Sequence, residues 1–143
     1  MRRRFSFLIL AVLILAVVVP ILQAQMSGEK EPPEALISIY QVTPGKHLDF
    51  LRWQATQEAV RSEAGVPASQ WYAHTNGASW DYIVIAPVLT DEQDKKVDEV
   101  SMKKGLKTGF KASLEFRQFI STHTDTFAVG PMTAADLVKA AEK

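Results

Sequence analysis

The sequence predicts an α+β domain, a four-stranded antiparallel sheet in the order 4-1-3-2 with its helices on one face. Three observations carry this. Gln70 to Leu89 holds two β-branched and aromatic runs joined through Asn76-Gly77, the strongest short-range hairpin signal. A strand-like run and a helical period precede that hairpin, and a split helical period and another strand-like run follow it. The resulting order, strand, helix, strand, strand, split helix, strand, is the ferredoxin-like βαββαβ arrangement with a split second helix, and right-handed crossovers set its strand order.

The chain begins outside that domain. Arg2-Arg3-Arg4 precede an apolar run from Phe5 to Leu22, broken only by Ser6 and Pro20, which ends at Leu22-Gln23-Ala24. Residues 1–24 are read as a secretory signal peptide cleaved after Ala24. The run approaches the ~20 residues that span a bilayer, so an uncleaved anchor through residues 5–22 is the alternative. Either way the domain is expected outside the cytoplasm, periplasmic or extracellular. Loss of the three arginines leaves thirteen basic against sixteen acidic residues, a net charge of about −3. That balance argues against a general nucleic-acid binder, which would show a basic face. The absence of cysteine excludes thiol catalysis and thiolate metal sites, although the compartment permits disulfides.

Residues 25–34, with Pro32-Pro33, form a polar tether, and residues 35–131 the folded domain. Ala35 to Val42 is a buried first strand, and Thr43-Pro44-Gly45 ends it. From Lys46 to about Glu63, Leu48, Leu51, Ala55 and Ala59 recur at helical spacing, with Gly65 as the expected C-terminal cap. After the hairpin, Pro87 stops ladder pairing, and Thr90-Asp91-Glu92-Gln93 forms a capping box for a charged helix to about Lys104. Lys107 to Ser121 makes a second half-helix with Phe110, Leu114, Phe116, Phe119 and Ile120 as its apolar stripe. Thr122 to Gly130 is the last strand, and residues 132–143 carry a short helix capped by Thr133.

Strand alternation sorts the hairpin into two faces. A two-residue turn at Asn76-Gly77 and a four-residue loop from Asn76 to Ser79 differ by one full pleat, so both give the same sorting. Trp71, Ala73, Trp80, Tyr82 and Val84 share one face, and Tyr72, His74, Asp81, Ile83 and Ile85 share the other. The first set, joined by Ser38, Tyr40 and Val42, is expected on the side away from the helices. A lone sheet would then expose too much aromatic surface, so a second copy of the chain is expected to cover it. Tyr40, Trp71, Trp80 and Tyr82 are the expected interface of that homodimer.

Val42-Thr43-Pro44-Gly45-Lys46 followed by Asp49-Phe50-Leu51 is similar to a V-x-P-G-K…(E/D)-F-L opening. With the central hairpin and the split second helix, it makes Leu36 to Gly130 resemble the dimeric α/β-barrel superfamily, which includes Dabb proteins, NIPSNAP-like proteins and antibiotic-biosynthesis-type monooxygenases. The resemblance implies a dimeric barrel. For function it implies a range: cofactor-independent oxidation of aromatic molecules, haem degradation, or no activity known. No residue pattern matches one catalytic subgroup.

The topology draws His47, His74, Asp81, His123 and Asp125, which include all three histidines, to one end of the sheet. His74 and Asp81 are expected as a pair on the helix-facing side, and His123 and Asp125 on the same side as Phe127 and Val129. A histidine oriented by a carboxylate suits a general base, so His74 and His123 are the catalytic candidates. The plainer reading is that polar residues collect at strand ends and cap loops. Strands two and four are opposite edges, roughly 14 Å apart at ~4.8 Å per strand, which speaks against one metal site built from both. No cofactor is expected, and no phosphate-binding loop or zinc-protease motif is present. The leading expectation is an exported homodimer that binds a small apolar or aromatic molecule between sheet and helices. The alternatives are a cofactor-independent monooxygenase or haem-interacting enzyme, and a structural envelope protein.

Overall fold

A computed structural model describes residues 32–143. The signal segment, the possible anchor and the first part of the tether lie outside the described residues. Strands β1 (Glu34–Val42), β2 (Gln70–Ala73), β3 (Tyr82–Pro87) and β4 (Ile120–Val129) form one antiparallel sheet in the order β2-β3-β1-β4, the predicted order read from its other edge. Helix α1 (His47–Glu63) joins β1 to β2, α2 (Asp91–Lys103) and α3 (Gly109–Phe116) form the split crossover from β3 to β4, and α4 (Ala134–Ala141) ends the chain.

Local chemistry sets these boundaries. Gly65, at φ +83°, follows α1 in the left-handed region. There Gly65 N donates to Ser62 O and Val66 N to Arg61 O, a Schellman ending that satisfies two late carbonyls. Thr90 and Gln93 cap α2 reciprocally: Gln93 N donates to Thr90 Oγ1 (3.2 Å) and Thr90 N donates to Gln93 Oε1 (3.0 Å). The hairpin takes the register of the four-residue loop, because Ala73 pairs with Tyr82 and His74 N donates to Asp81 O. Helix α3 stops at Phe116, five residues short of expectation. Phe119 O is taken by Thr43 N (2.9 Å), and Ile120 already pairs with Val42 where the β1–β4 register shifts.

The alternation was legible and its side was not. Tyr40, Trp71 and Tyr82, expected on a bare dimer face, lie under α1. Phe50, fully buried, stacks on Tyr82 (5.7 Å) and packs on Tyr40 (5.3 Å) and Trp71 (6.2 Å). Burying Phe50 contributes roughly 1.5–3 kcal/mol by area, and each ring pair about 0.5–1.5 kcal/mol more. Trp80 falls outside the strands and packs on His74 (4.9 Å). Of the four residues expected at the interface, Tyr40, Trp71 and Tyr82 therefore lie on the helix-covered face instead, and Trp80 lies in the hairpin loop. The opposite face carries Ile37 and Ile39 of β1 beside Ile85 and Ile83 of β3, with the half-exposed Tyr72 next to Ile83. A second apolar cluster, Val60, Ala64, Val66 and Val100, ties the end of α1 to α2.

Candidate functional site

Alternation along β1 and β4 builds the site. Tyr40 is the cross-strand partner of His123, Ser38 of Asp125, and Leu36 of Phe127, so all six share the helix-facing side. Ser38 Oγ donates to Asp125 Oδ1 (2.7 Å), and Asp125 Oδ2 stands 3.5 Å from His123 Nε2. The first is a short charge-assisted bond, the second a long electrostatic contact between half-exposed groups. The His123 ring lies nearly parallel to Tyr40 (6.3 Å, 22°) and edge-on to Phe116 (5.4 Å, 85°).

Helix α1 supplies the roof. Gln54 and Arg61, seven residues apart, lie on one side of it, and both act on the Tyr40 hydroxyl. Burial pushes that hydroxyl's pKa above its ordinary 10.0. The neighbouring Asp125 charge adds to the rise, while Ser38, Arg61 and Gln54 oppose it. Trp53 packs on Phe116 (5.5 Å), and its Nε1 donates to Glu115 Oε2 (3.2 Å), which pins α1 to α3 beside the cleft. Lys107 Nζ reaches the other Glu115 oxygen (2.9 Å), and these bonds hold the Glu115 carboxyl below its usual range. One pleat along from Ser38 and Asp125, a cavity of about 320 Å³ opens between Leu36, Phe127, Arg61 and the Pro87–Asp91 turn. The cavity can hold a small molecule against apolar side chains and the Phe127 ring, with Asp125 and His123 farther along the same face of the sheet.

The register keeps the five residues expected at one mouth at one end of the sheet, but divides them between its two faces. His123 and Asp125 stand together on the same side of β4 as Phe127. His47 opens α1, its Nδ1 3.5 Å from the hydroxyl of Tyr82, which pairs with Tyr40 across β1 and β3. Asp81 was expected to pair with His74 under the helices, but its Oδ2 accepts from the Val42 backbone N (2.6 Å) and so ends the β1–β3 ladder. His74 continues the Tyr72 side of β2, opposite the helices, and packs on Trp80. Its Nε2 is buried without a hydrogen-bond partner. Of the two catalytic candidates, only His123 borders the cleft. The sequence reading passed over Ser38, Gln54 and Arg61 as site residues and assigned Tyr40 to the dimer interface. A serine inside an otherwise apolar strand, and polar residues seven apart on a sheet-packed helix, were the available signals. Among the described residues no cluster of three or more His, Asp or Glu could hold a metal ion, and no helix is long and apolar enough to cross a membrane.

No family model and no curated protein matches the chain. Solved structures do. A NIPSNAP family protein from Agrobacterium tumefaciens is 13% identical, with 78% of this chain and 96% of that one covered and a TM-score of 0.50. SnoaB, a cofactor-independent oxygenase from Streptomyces nogalater, is 13% identical over 72% of this chain and 97% of its own, with a TM-score of 0.48. An uncharacterised NIPSNAP domain protein from Burkholderia xenovorans is 11% identical over 71% and 97%, with a TM-score of 0.46. At these identities the likeness is one of fold, and the oxygenase's activity is its own. The strand order and the split crossover give this chain a ferredoxin-like α+β fold, similar to that of the NIPSNAP family protein from Agrobacterium tumefaciens.

Proposed function

We propose that the chain is an exported homodimer that binds a small aromatic molecule in the cleft between β1, β4 and α1. One observation carries the binding reading: the Ser38–Asp125–His123 line and the Tyr40 hydroxyl are set among aromatic rings beside a cavity of about 320 Å³. Polar groups at the edge of a ring-walled space fix a ligand's orientation, while the rings supply the contact area. The basic, apolar and small-residue order of residues 1–24 supports export. The isoleucine face supports self-association, because Ile37, Ile39, Ile83 and Ile85 form one apolar patch that a second copy would cover.

Thermal-shift and fluorescence titration of the full-length chain with neutral aromatic probes, 2-naphthamide among them, test the reading. Binding to the parent chain that weakens in Tyr40→Phe and His123→Ala supports it. Indifference to every probe contradicts it. The His123–Asp125 pair beside Tyr40 favours a second reading, acid–base chemistry on the bound molecule. Oxygen uptake and product formation that match buffer, in the parent and in His123→Ala alike, remove that reading and leave the binding one standing.

A further inference from the structure

Arg61 is the one cleft residue whose chemistry the aromatic wall does not explain. It sits on α1 facing the sheet, close enough to act on the Tyr40 hydroxyl, and it lines the cavity floored by Leu36 and Phe127. Its Nε is shut away from solvent and has no hydrogen-bond partner. Its guanidinium makes no ion pair among the described residues. No carboxylate among the described residues in this part of the molecule forms an ion pair with it. Asp125 takes Ser38 on one oxygen and faces His123 with the other. Asp91 and Asp94 line the same cavity but are exposed in the first turn of α2, where the helix dipole favours their charge.

We propose that Arg61 receives the acidic group of the bound molecule, so that the cleft selects small aromatic carboxylates over neutral molecules of the same shape. The proposal rests on the reading of the cleft as a binding site and adds the ligand's charge to it. A guanidinium offers its donors in a fixed planar fork that matches a carboxylate, and a buried donor lacking an acceptor favours whatever supplies one. The cavity size suits a one- or two-ring acid at the low end of small-molecule sites. With its carboxylate on Arg61, such an acid lays its ring along Leu36 and Phe127, on the same sheet face as the Tyr40 and His123 rings two pleats away.

Calorimetric titration of the full-length chain with 2-naphthoate and with its neutral isostere 2-naphthamide decides the matter. The expected result is that naphthoate binds about 10-fold or more tightly than naphthamide, the usual size of one charge-assisted hydrogen bond. In Arg61→Gln that ratio collapses, because naphthoate loses affinity and naphthamide loses much less. Arg61→Lys keeps the charge without the fork, so it retains part of the ratio and serves as the check should Arg61→Gln melt early. Equal affinity of the two probes for the parent chain, as when Asp91 or Asp94 swings in to neutralise Arg61, overturns the proposal and leaves the aromatic cleft intact. An unchanged ratio in Arg61→Gln overturns it as well. Failure of both probes to bind sinks this proposal together with the reading beneath it.

Discussion

The Ser38 hydroxyl donates to Asp125 Oδ1 at 2.7 Å across the β1–β4 pairing, a polar tie under a helical layer whose other inward contacts are largely aromatic. Ser38 is buried, yet Asp125 keeps 45% of its side chain exposed, so the bond joins the core to the cleft. Ser38→Ala is expected to lower unfolding free energy by about 0.5–1.5 kcal/mol, because water can reach the freed carboxylate oxygen. Urea unfolding measures it. A double-mutant cycle with Asp125→Asn should show that the two losses do not add.

Tyr40 makes stability depend on alkaline pH. Its folded pKa stands above the unfolded value of 10.0, chiefly through burial. A group so raised contributes stability that is fully present below pH 10.0 and is lost as pH rises through the folded value, because the unfolded chain gives up its proton first. Melting temperatures between about pH 9 and 11 should therefore fall less steeply in Tyr40→Phe than in the parent. Tyr82, raised by burial and by the Asp81 charge, acts with the same sign.

Phe50 is fully buried and touches the rings of Tyr40, Trp71, Tyr82 and Phe116, whereas Phe110 on α3 is 75% exposed. Phe50→Ala should cost about 3–5 kcal/mol through lost burial and a cavity. Phe110→Ala should stay within about 0.5 kcal/mol of the parent. Chemical denaturation of the two variants side by side checks the assignment of the core.

The isoleucine face makes a separate prediction. Ile39→Lys, at the centre of that face in β1, should convert a dimer to a monomer in light scattering, with the aromatic core and near-ultraviolet spectrum retained. A parent chain that is already monomeric contradicts the self-association reading.

Pattern and side are separate kinds of information in this chain. Period-two alternation placed Trp71 with Tyr82 and Tyr72 with Ile83, and the register bears that out. Which set the helices would cover was not legible, because both faces are apolar and nothing local distinguishes them. The rings of Phe50 and Phe116, brought in by α1 and α3, pair with Tyr40 and so draw the aromatic set inward. That one inversion moved Tyr40 from an expected interface to the cleft and His74 away from it.

Side-chain roles at strand ends were hidden for another reason. Asp81 could serve a histidine or a backbone, and the open N–H of Val42 decided for the backbone. Capping signals with one local solution, Thr90 with Gln93 and Thr133 with Asp136, were legible and are present as read. Arg61 could not be found by motif, since its distinction is a missing partner, which only a folded chain shows.

The most direct test of the cleft is where a ligand lands. Nuclear magnetic resonance of the full-length chain titrated with 2-naphthamide should move the signals of Tyr40, Arg61 and His123 together, and leave Tyr72 and Ile83 on the opposite face unmoved. Perturbation centred on Ile83 and Tyr72, or none at saturating probe, would contradict a binding site between the sheet and α1.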